Sequence, residues 1–143
     1  MYDDILLPTD GSSATVQALD HALAIAEDQD ATVHALYVLD KRHYLAAAEG
    51  MKDEIRRSLS EEGERALEEA RVRIEDHGID ATTQRVEGIP HKTIVDYATE
   101  EAIDLIVMGT HGKTGRDRVA SLGSTTERVV KNSETPVLVV ELE

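Results

Sequence analysis

The stretch Ile103-Asp104-Leu105-Ile106-Val107-Met108-Gly109-Thr110-His111-Gly112 is an apolar run that breaks into glycines. The run from Ile103 to Met108 reads as a buried strand, with Asp104–Met108 as its core. Beyond it, Lys113 to Leu122 continue a polar loop, and Gly123-Ser124-Thr125-Thr126-Glu127 opens the next element. Ser124 followed three residues later by Glu127 predicts a capping box, with a helix from Thr125 to about Asn132. Strand, glycine-rich loop and helix start in that order bring backbone N–H groups and a positive helix end to one place. That arrangement suits an anion such as a phosphate.

Working outward, the same alternation recurs. Tyr2–Pro8 carries Ile5-Leu6-Leu7 and predicts a first strand, followed by a turn at Thr9-Asp10-Gly11-Ser12-Ser13 with several possible N-caps. Apolar residues at 16, 19, 22, 23 and 26 predict a helix over 14–28, and Ala31–Leu39 predicts a second strand. Residues 40–50 read as loop. Met51 to His77 predicts a long amphipathic helix with 51, 55, 59, 66, 67, 70 and 74 on its apolar side, ended by Gly78. Thr82–Val86 predicts a less apolar third strand near an edge. Gly88-Ile89-Pro90 starts a further helix with apolar positions 94, 95, 98 and 102, and Pro136–Leu142 predicts a Val-rich last strand. Apolar strands joined by helical crossovers predict an α/β fold, a five-stranded parallel doubly wound sheet in a single domain over residues 1–143.

Composition excludes several functions. The chain has 143 residues, 29 Asp and Glu against 15 Lys and Arg, and a net charge of −14. Such a surface repels nucleic acid and anionic membranes, so neither is expected as a partner. No apolar run approaches the ~20 residues of a membrane span. The acidic start, Met1-Tyr2-Asp3-Asp4, does not resemble a signal peptide, and a cytoplasmic location is expected. Cysteine is absent, which excludes disulfides, zinc–thiolate sites and thiol nucleophiles. Basic residues are mostly Arg, and Phe and Trp are absent. High acidity with little Lys fits a protein adapted to high salt, and equally an ordinary acidic cytosolic protein.

In open α/β sheets ligands sit beyond the carboxyl ends of the strands, where strand order reverses. Three segments are expected there: Pro8-Thr9-Asp10-Gly11-Ser12, Tyr37-Val38-Leu39-Asp40 and the glycine loop. Gly112-Lys113-Thr114 looks like the end of a Walker A loop, but Val107 stands where its first glycine belongs. No G-x-G-x-x-G follows the first strand, and the first turn lacks the loop of ATP pyrophosphatases. Between 111 and 118 lie Lys113, Arg116 and Arg118 against the single acid Asp117, with His111 able to add a hydrogen bond. Such a run is more often a solvated surface than a site. Its place between a strand and a helix start favours phosphate contact.

Ile5-Leu6-Leu7-Pro8-Thr9-Asp10-Gly11-Ser12, Gly88-Ile89-Pro90-His91, Asp104 to Gly112, Gly123 to Val130 and Pro136 to Val140 resemble the universal stress protein family. The resemblance spans nearly the whole chain. It implies a Rossmann-like sheet of order 3-2-1-4-5 and membership of the ATP-binding subgroup. The family's binders carry Gly, two residues, Gly, nine residues, then Gly and a small hydroxyl residue. Here Gly109, Gly112 and Gly123-Ser124 match, but ten residues, 113–122, separate Gly112 from Gly123. The extra residue either bulges outward near Gly115, leaving both anchors in place, or displaces Gly112. The bulge is the expectation, since lengthening a loop costs little closure entropy.

The resemblance further implies roles. Asp10 would lie near the ribose or a Mg²⁺ ion, or would simply cap a helix. Pro8 and Thr9 would line the same edge. The backbone of Val38 would pair with adenine while its side chain packs in the core. Met108, Gly109, His111 and Gly112 would run along ribose and phosphates, and Gly123, Ser124 and Thr125 would offer N–H and hydroxyl groups to the outer phosphates. The expected cofactor is ATP, or AMP or ADP, with Mg²⁺ as an accompanying ion. No catalytic residue is expected. Hydrolysis needs a positioned water and usually a base, and Asp10 is the single acid nearby. The other histidines, 21, 34, 43, 77 and 91, have no ligand spacing and read as surface or packed residues. The expected roles are thus a nucleotide-binding regulator, a non-binding interaction module, or a slow ATP hydrolase. The apolar edge strand 136–142 predicts a homodimer.

Overall fold

The structure, a computed structural model, describes residues 1–110 and 123–141. The described residues form one parallel sheet in the order β3-β2-β1-β4-β5, with strands β1 (Asp4–Pro8), β2 (Thr32–Asp40), β3 (Ala81–Gly88), β4 (Leu105–Gly109) and β5 (Val137–Val140). The crossovers are α1 (Ser13–Gln29), α3 (Lys52–Asp76), α4 (Pro90–Glu100) and α5 (Ser124–Asn132), with a short α2 (Lys41–Leu45) after β2. The expected fold class and strand order are both found.

Side chains alternate along each strand, so the two faces build two cores. Ile5 and Leu7 join Val33, Ala35, Val107 and the apolar faces of α1 and α3. Leu6, Leu36, Ile106 and Met108 join Ile94, Tyr97 and Val129 from α4 and α5. Ile5, Leu6 and Leu7 are all fully buried because β1 is central and covered on both faces.

Local readings differ from the structure where packing decides. Val16 and Met51, on the expected apolar stripes, are exposed, and Ala18 is buried instead. Ala102 lies past the end of α4 with φ 52, and Tyr97 fills the core on that helix. Residues 41–45 form α2 rather than loop, because the Asp40 carboxylate accepts the Arg42 N–H and caps a helical turn. Gly78 adopts φ 73 one residue past the α3 cap, as a C′ glycine should.

Candidate functional site

β1, β2 and β4 end side by side. Pro8 pairs with Leu36, and Leu6 pairs with Ile106, a register that brings Pro8 level with Met108. The chain leaves β1 toward one edge through β2 and toward the other through β4, so the reversal of strand order lies between β1 and β4. The segments that follow these three strands all begin at this end of the sheet.

The first loop is a self-bonded turn. The Thr9 N–H donates to Leu36 O at 2.8 Å, tying the loop to β2, and Thr9 is buried. Gly11 turns with φ 79, and its N–H donates to Thr9 Oγ1 at 3.2 Å. Asp10 Oδ1 accepts from the Ser12 N–H at 2.9 Å and from Thr15 Oγ1 at 3.1 Å. The carboxylate therefore organises the turn that leads into α1, but it is not the helix cap that the alternative reading expects. The N-cap itself is Ser12, whose side chain makes no capping bond.

The second segment is the end of β2. Val38, like Val86 and Val95, packs against the buried cluster on the α4–α5 face that includes Met108, while Leu39 belongs to the opposite core. Asp40 forms a two-point pair with Arg42, Nε at 2.9 Å and Nη2 at 2.7 Å. The Arg42 guanidinium holds the Asp40 carboxyl below its usual range, against the opposing effect of burial.

The third segment brackets residues 111–122, which contain His111, Gly112, Lys113, Gly115, Arg116, Asp117 and Arg118 and lie outside the described residues. The two ends of this segment meet. The Gly123 N–H donates to Thr110 O. Thr126 Oγ1 donates to Gly109 O at 2.8 Å, and the Thr110 N–H donates to Val140 O at 3.0 Å. The start of α5 is thus fastened to the end of β4, while the expected bulge near Gly115 and the place of Gly112 lie outside the described residues.

The expected capping box does not form. Gly123 is the N-cap, Ser124 is the first helical residue, and no side chain caps the helix. Glu127 instead pairs with Lys131 at 2.8 Å, one turn along the helix. The register is one residue earlier because Thr126, not Glu127, must face the β4 carbonyl. Gly123 spends its N–H on Thr110. The amides of Ser124, Thr125 and Thr126 precede the first helical bond, Glu127 N–H to Gly123 O, so no helical carbonyl serves them. Ser124 is exposed and Thr125 half-buried.

Charge around this end departs from the acidic average. His91, at the start of α4, titrates below its ordinary value because burial and then Arg128, Lys92 and Arg42 disfavour the imidazolium. A cleft of about 570 Å³ lies elsewhere, between α3 and β3, lined by Asp53, Arg56, Arg57, Glu61, Arg85 and Glu87 among others. Arg56 pairs with Glu87 at 2.8 Å and Arg85 with Glu64 at 2.7 Å. Much of its charge is thereby neutralised, and of the segments expected at the site it touches Leu39 alone. Among the described residues no group of three His, Cys, Asp or Glu is placed to hold a metal ion. Of the histidines, His34 is packed: its Nε2 lies 2.9 Å from Asp4 Oδ1 and its Nδ1 2.9 Å from Tyr97 Oη, toward the amino end of the sheet and away from these loops.

Comparison with known proteins agrees with this architecture. The chain is 44% identical over 99% of its length to universal stress protein MJ0531 of Methanocaldococcus jannaschii, covering 83% of that protein. It is 36% identical to universal stress protein MJ0577 of the same organism, covering 99% of this chain and 96% of that one. The solved structure of MJ0577 matches with a TM-score of 0.89 at 39% identity, covering 100% of this chain and 98% of that one. A universal stress protein solved in complex with cAMP matches with a TM-score of 0.69 at 27% identity, covering 98% of this chain and 97% of that one. The universal stress protein family model matches residues 1–141, and the chain belongs to that family.

Proposed function

We propose that this chain binds an adenine nucleotide, ATP foremost and AMP or ADP by the same contacts, and acts as a nucleotide-responsive regulator. The observation that carries the reading is the bond from the Gly123 N–H to Thr110 O, which closes the glycine-bracketed segment beside β1 despite its additional residue. The cAMP complex of a relative 27% identical supports the ligand class. In this reading Pro8, Thr9 and Asp10 form one wall, and the Val38 backbone receives adenine. Met108, Gly109, His111 and Gly112 follow the ribose and phosphates, and the first amides of α5, at Ser124 and Thr125 beside Gly123, take the outer phosphates.

Mg²⁺ would arrive with the triphosphate. Asp10 supplies one carboxylate, and Mg²⁺ in phosphate sites commonly takes one or two together with phosphate oxygens and water. The ion then neutralises phosphate charge, and Asp10 keeps its turn bonds to Ser12 and Thr15. Among the described residues of the site, Asp10 is the acid this reading offers to an attacking water, and binding rather than turnover is the proposed role. The half-buried, apolar β5 edge supports a homodimer through residues 136–142. The net charge of −14 argues against nucleic acid and anionic membranes, and no described helix is long and apolar enough to cross a membrane. A cytoplasmic place of action fits that surface.

Denaturing the purified chain and chromatographing the released small molecules tests the reading. An adenine nucleotide in the supernatant, or its uptake from added ATP in equilibrium dialysis, is expected. A chain that carries none and takes up none is a non-binding interaction module.

A further inference from the structure

β2 is supported unevenly at the end that the nucleotide reading gives to the base. Backbone groups two residues apart on a strand point the same way. The Thr32 N–H donates to Asp3 O at 2.9 Å, so the even-numbered residues of β2 face β1. The Val33 N–H donates to Asp80 O at 2.9 Å, so the odd-numbered residues face β3. On the β1 side the register stops at Pro8 opposite Leu36, with the Thr9 N–H still donating to Leu36 O at 2.8 Å. Val38 is the next residue facing that way, and the register sets no strand residue of β1 opposite it. On the β3 side the register runs on to Asp40 opposite Gly88. The Val38 segment is therefore held in the sheet from the β3 side.

β3 is itself the edge of the sheet, with no described strand beyond it. Its polar ties run to α3. Arg85 Nη1 donates to Ser60 Oγ and to Glu64 Oε1, both at 2.7 Å. Glu87 Oε2 accepts from Arg56 Nε at 2.8 Å. In register Arg85 stands opposite Tyr37 and Glu87 opposite Leu39, so the two ties straddle Val38. An isolated exposed ion pair contributes little, but here one guanidinium holds two α3 partners and a second tie follows two residues on, which makes a network. We infer that Arg56, Arg85 and Glu87 are positioning residues for the base: by fastening the edge strand to α3 they fix, through β3, the Val38 backbone where adenine is read. The inference rests on the nucleotide reading above.

Charge reversal and two ligands test it, on the full chain. Arg56→Glu lowers affinity for ATP and for adenosine by the same factor, about threefold, because the base and not the phosphates is displaced. Arg85→Gln does the same. Without ligand, the amide resonances of Val38 and Leu39 shift in both variants, while those of Ser124 and Thr125 hold. Glu87→Arg added to Arg56→Glu rebuilds the pair with its charges exchanged and restores affinity for both ligands. Unchanged affinity in Arg56→Glu and Arg85→Gln overturns the inference and leaves the nucleotide reading standing. A loss confined to ATP overturns it as well, since that marks repulsion of the phosphates by the altered charge. So does a loss that the exchanged pair fails to restore, or one in which Ser124 and Thr125 shift as far as Val38, the mark of general loosening. Failure of the unaltered chain to bind ATP overturns both readings together.

Discussion

Gly63 and Tyr37 show how single residues set this fold. Gly63 sits inside α3, where glycine is costly, and a methyl group there would fall 2.6 Å from Tyr37 Cε1 and nearer still to Cδ1. Helix propensity favours alanine by about 1 kcal/mol, but pressing on a buried tyrosine costs about 1–3 kcal/mol. Gly63→Ala is expected to lose stability in urea titration; a gain would mean that the ring moves aside freely. Tyr97→Phe removes the hydroxyl that satisfies His34 Nδ1 in the core and should cost about 1–2 kcal/mol. Burial, then Glu101 and Asp4, raise the Tyr97 pKa above its ordinary value. The folded state therefore holds that proton more tightly. Its contribution is complete below the unfolded pKa, near 10, and is lost as pH rises through the folded value. Asp40 works in the opposite sense, its lowered pKa giving stability that is lost as pH falls below the ordinary carboxylate range. Asp40→Asn should abolish that acid-side contribution in melting curves taken across pH. These contacts were not legible in the sequence. Glycine at 63 reads as a flaw in a helix until the ring beside it is seen, and His34 meets Tyr97 across 63 positions.

At the scale of elements, strands and long helices were legible because each needs only its own periodicity. Ile5-Leu6-Leu7 and Leu105 to Met108 announced buried strands, and both lie where expected. Ends were less legible. The start of α5 is decided by Thr126 reaching Gly109 O, a contact with β4 that no local capping pattern contains. Thr126→Val keeps the shape, breaks that bond and should cost about 1 kcal/mol of stability, with weaker ATP binding as α5 loosens from β4. Unchanged stability and affinity would mean that the Gly123–Thr110 bond alone fastens the joint. The β5 edge carries its own expectation. Leu138→Lys places charge in a half-buried apolar edge, and sedimentation should show dimer converting to monomer; a monomer before substitution removes the dimer.

For the molecule as a whole, strand order decides where a ligand can bind, and charge decides which. Three carboxyl ends meet beside the reversal at β1 and β4, and cations beside His91 gather at that end of a chain whose net charge is −14. The site was half legible. The proposed wall at Pro8, Thr9 and Asp10 and the proposed Gly109 and Gly123 anchors follow from the resemblance to the family, and the position of the strand ends follows from the alternation of strands and helices. The bonds by which Asp10 organises the turn into α1 depend on rotamers that spacing does not encode. Titration calorimetry of the full chain with ATP, in buffer containing Mg²⁺ and enough salt to screen the acidic surface, addresses the joined loop ends most directly. Saturable heat with one nucleotide per chain, in the micromolar range, is the predicted result. No saturable heat at concentrations well above that range would contradict it.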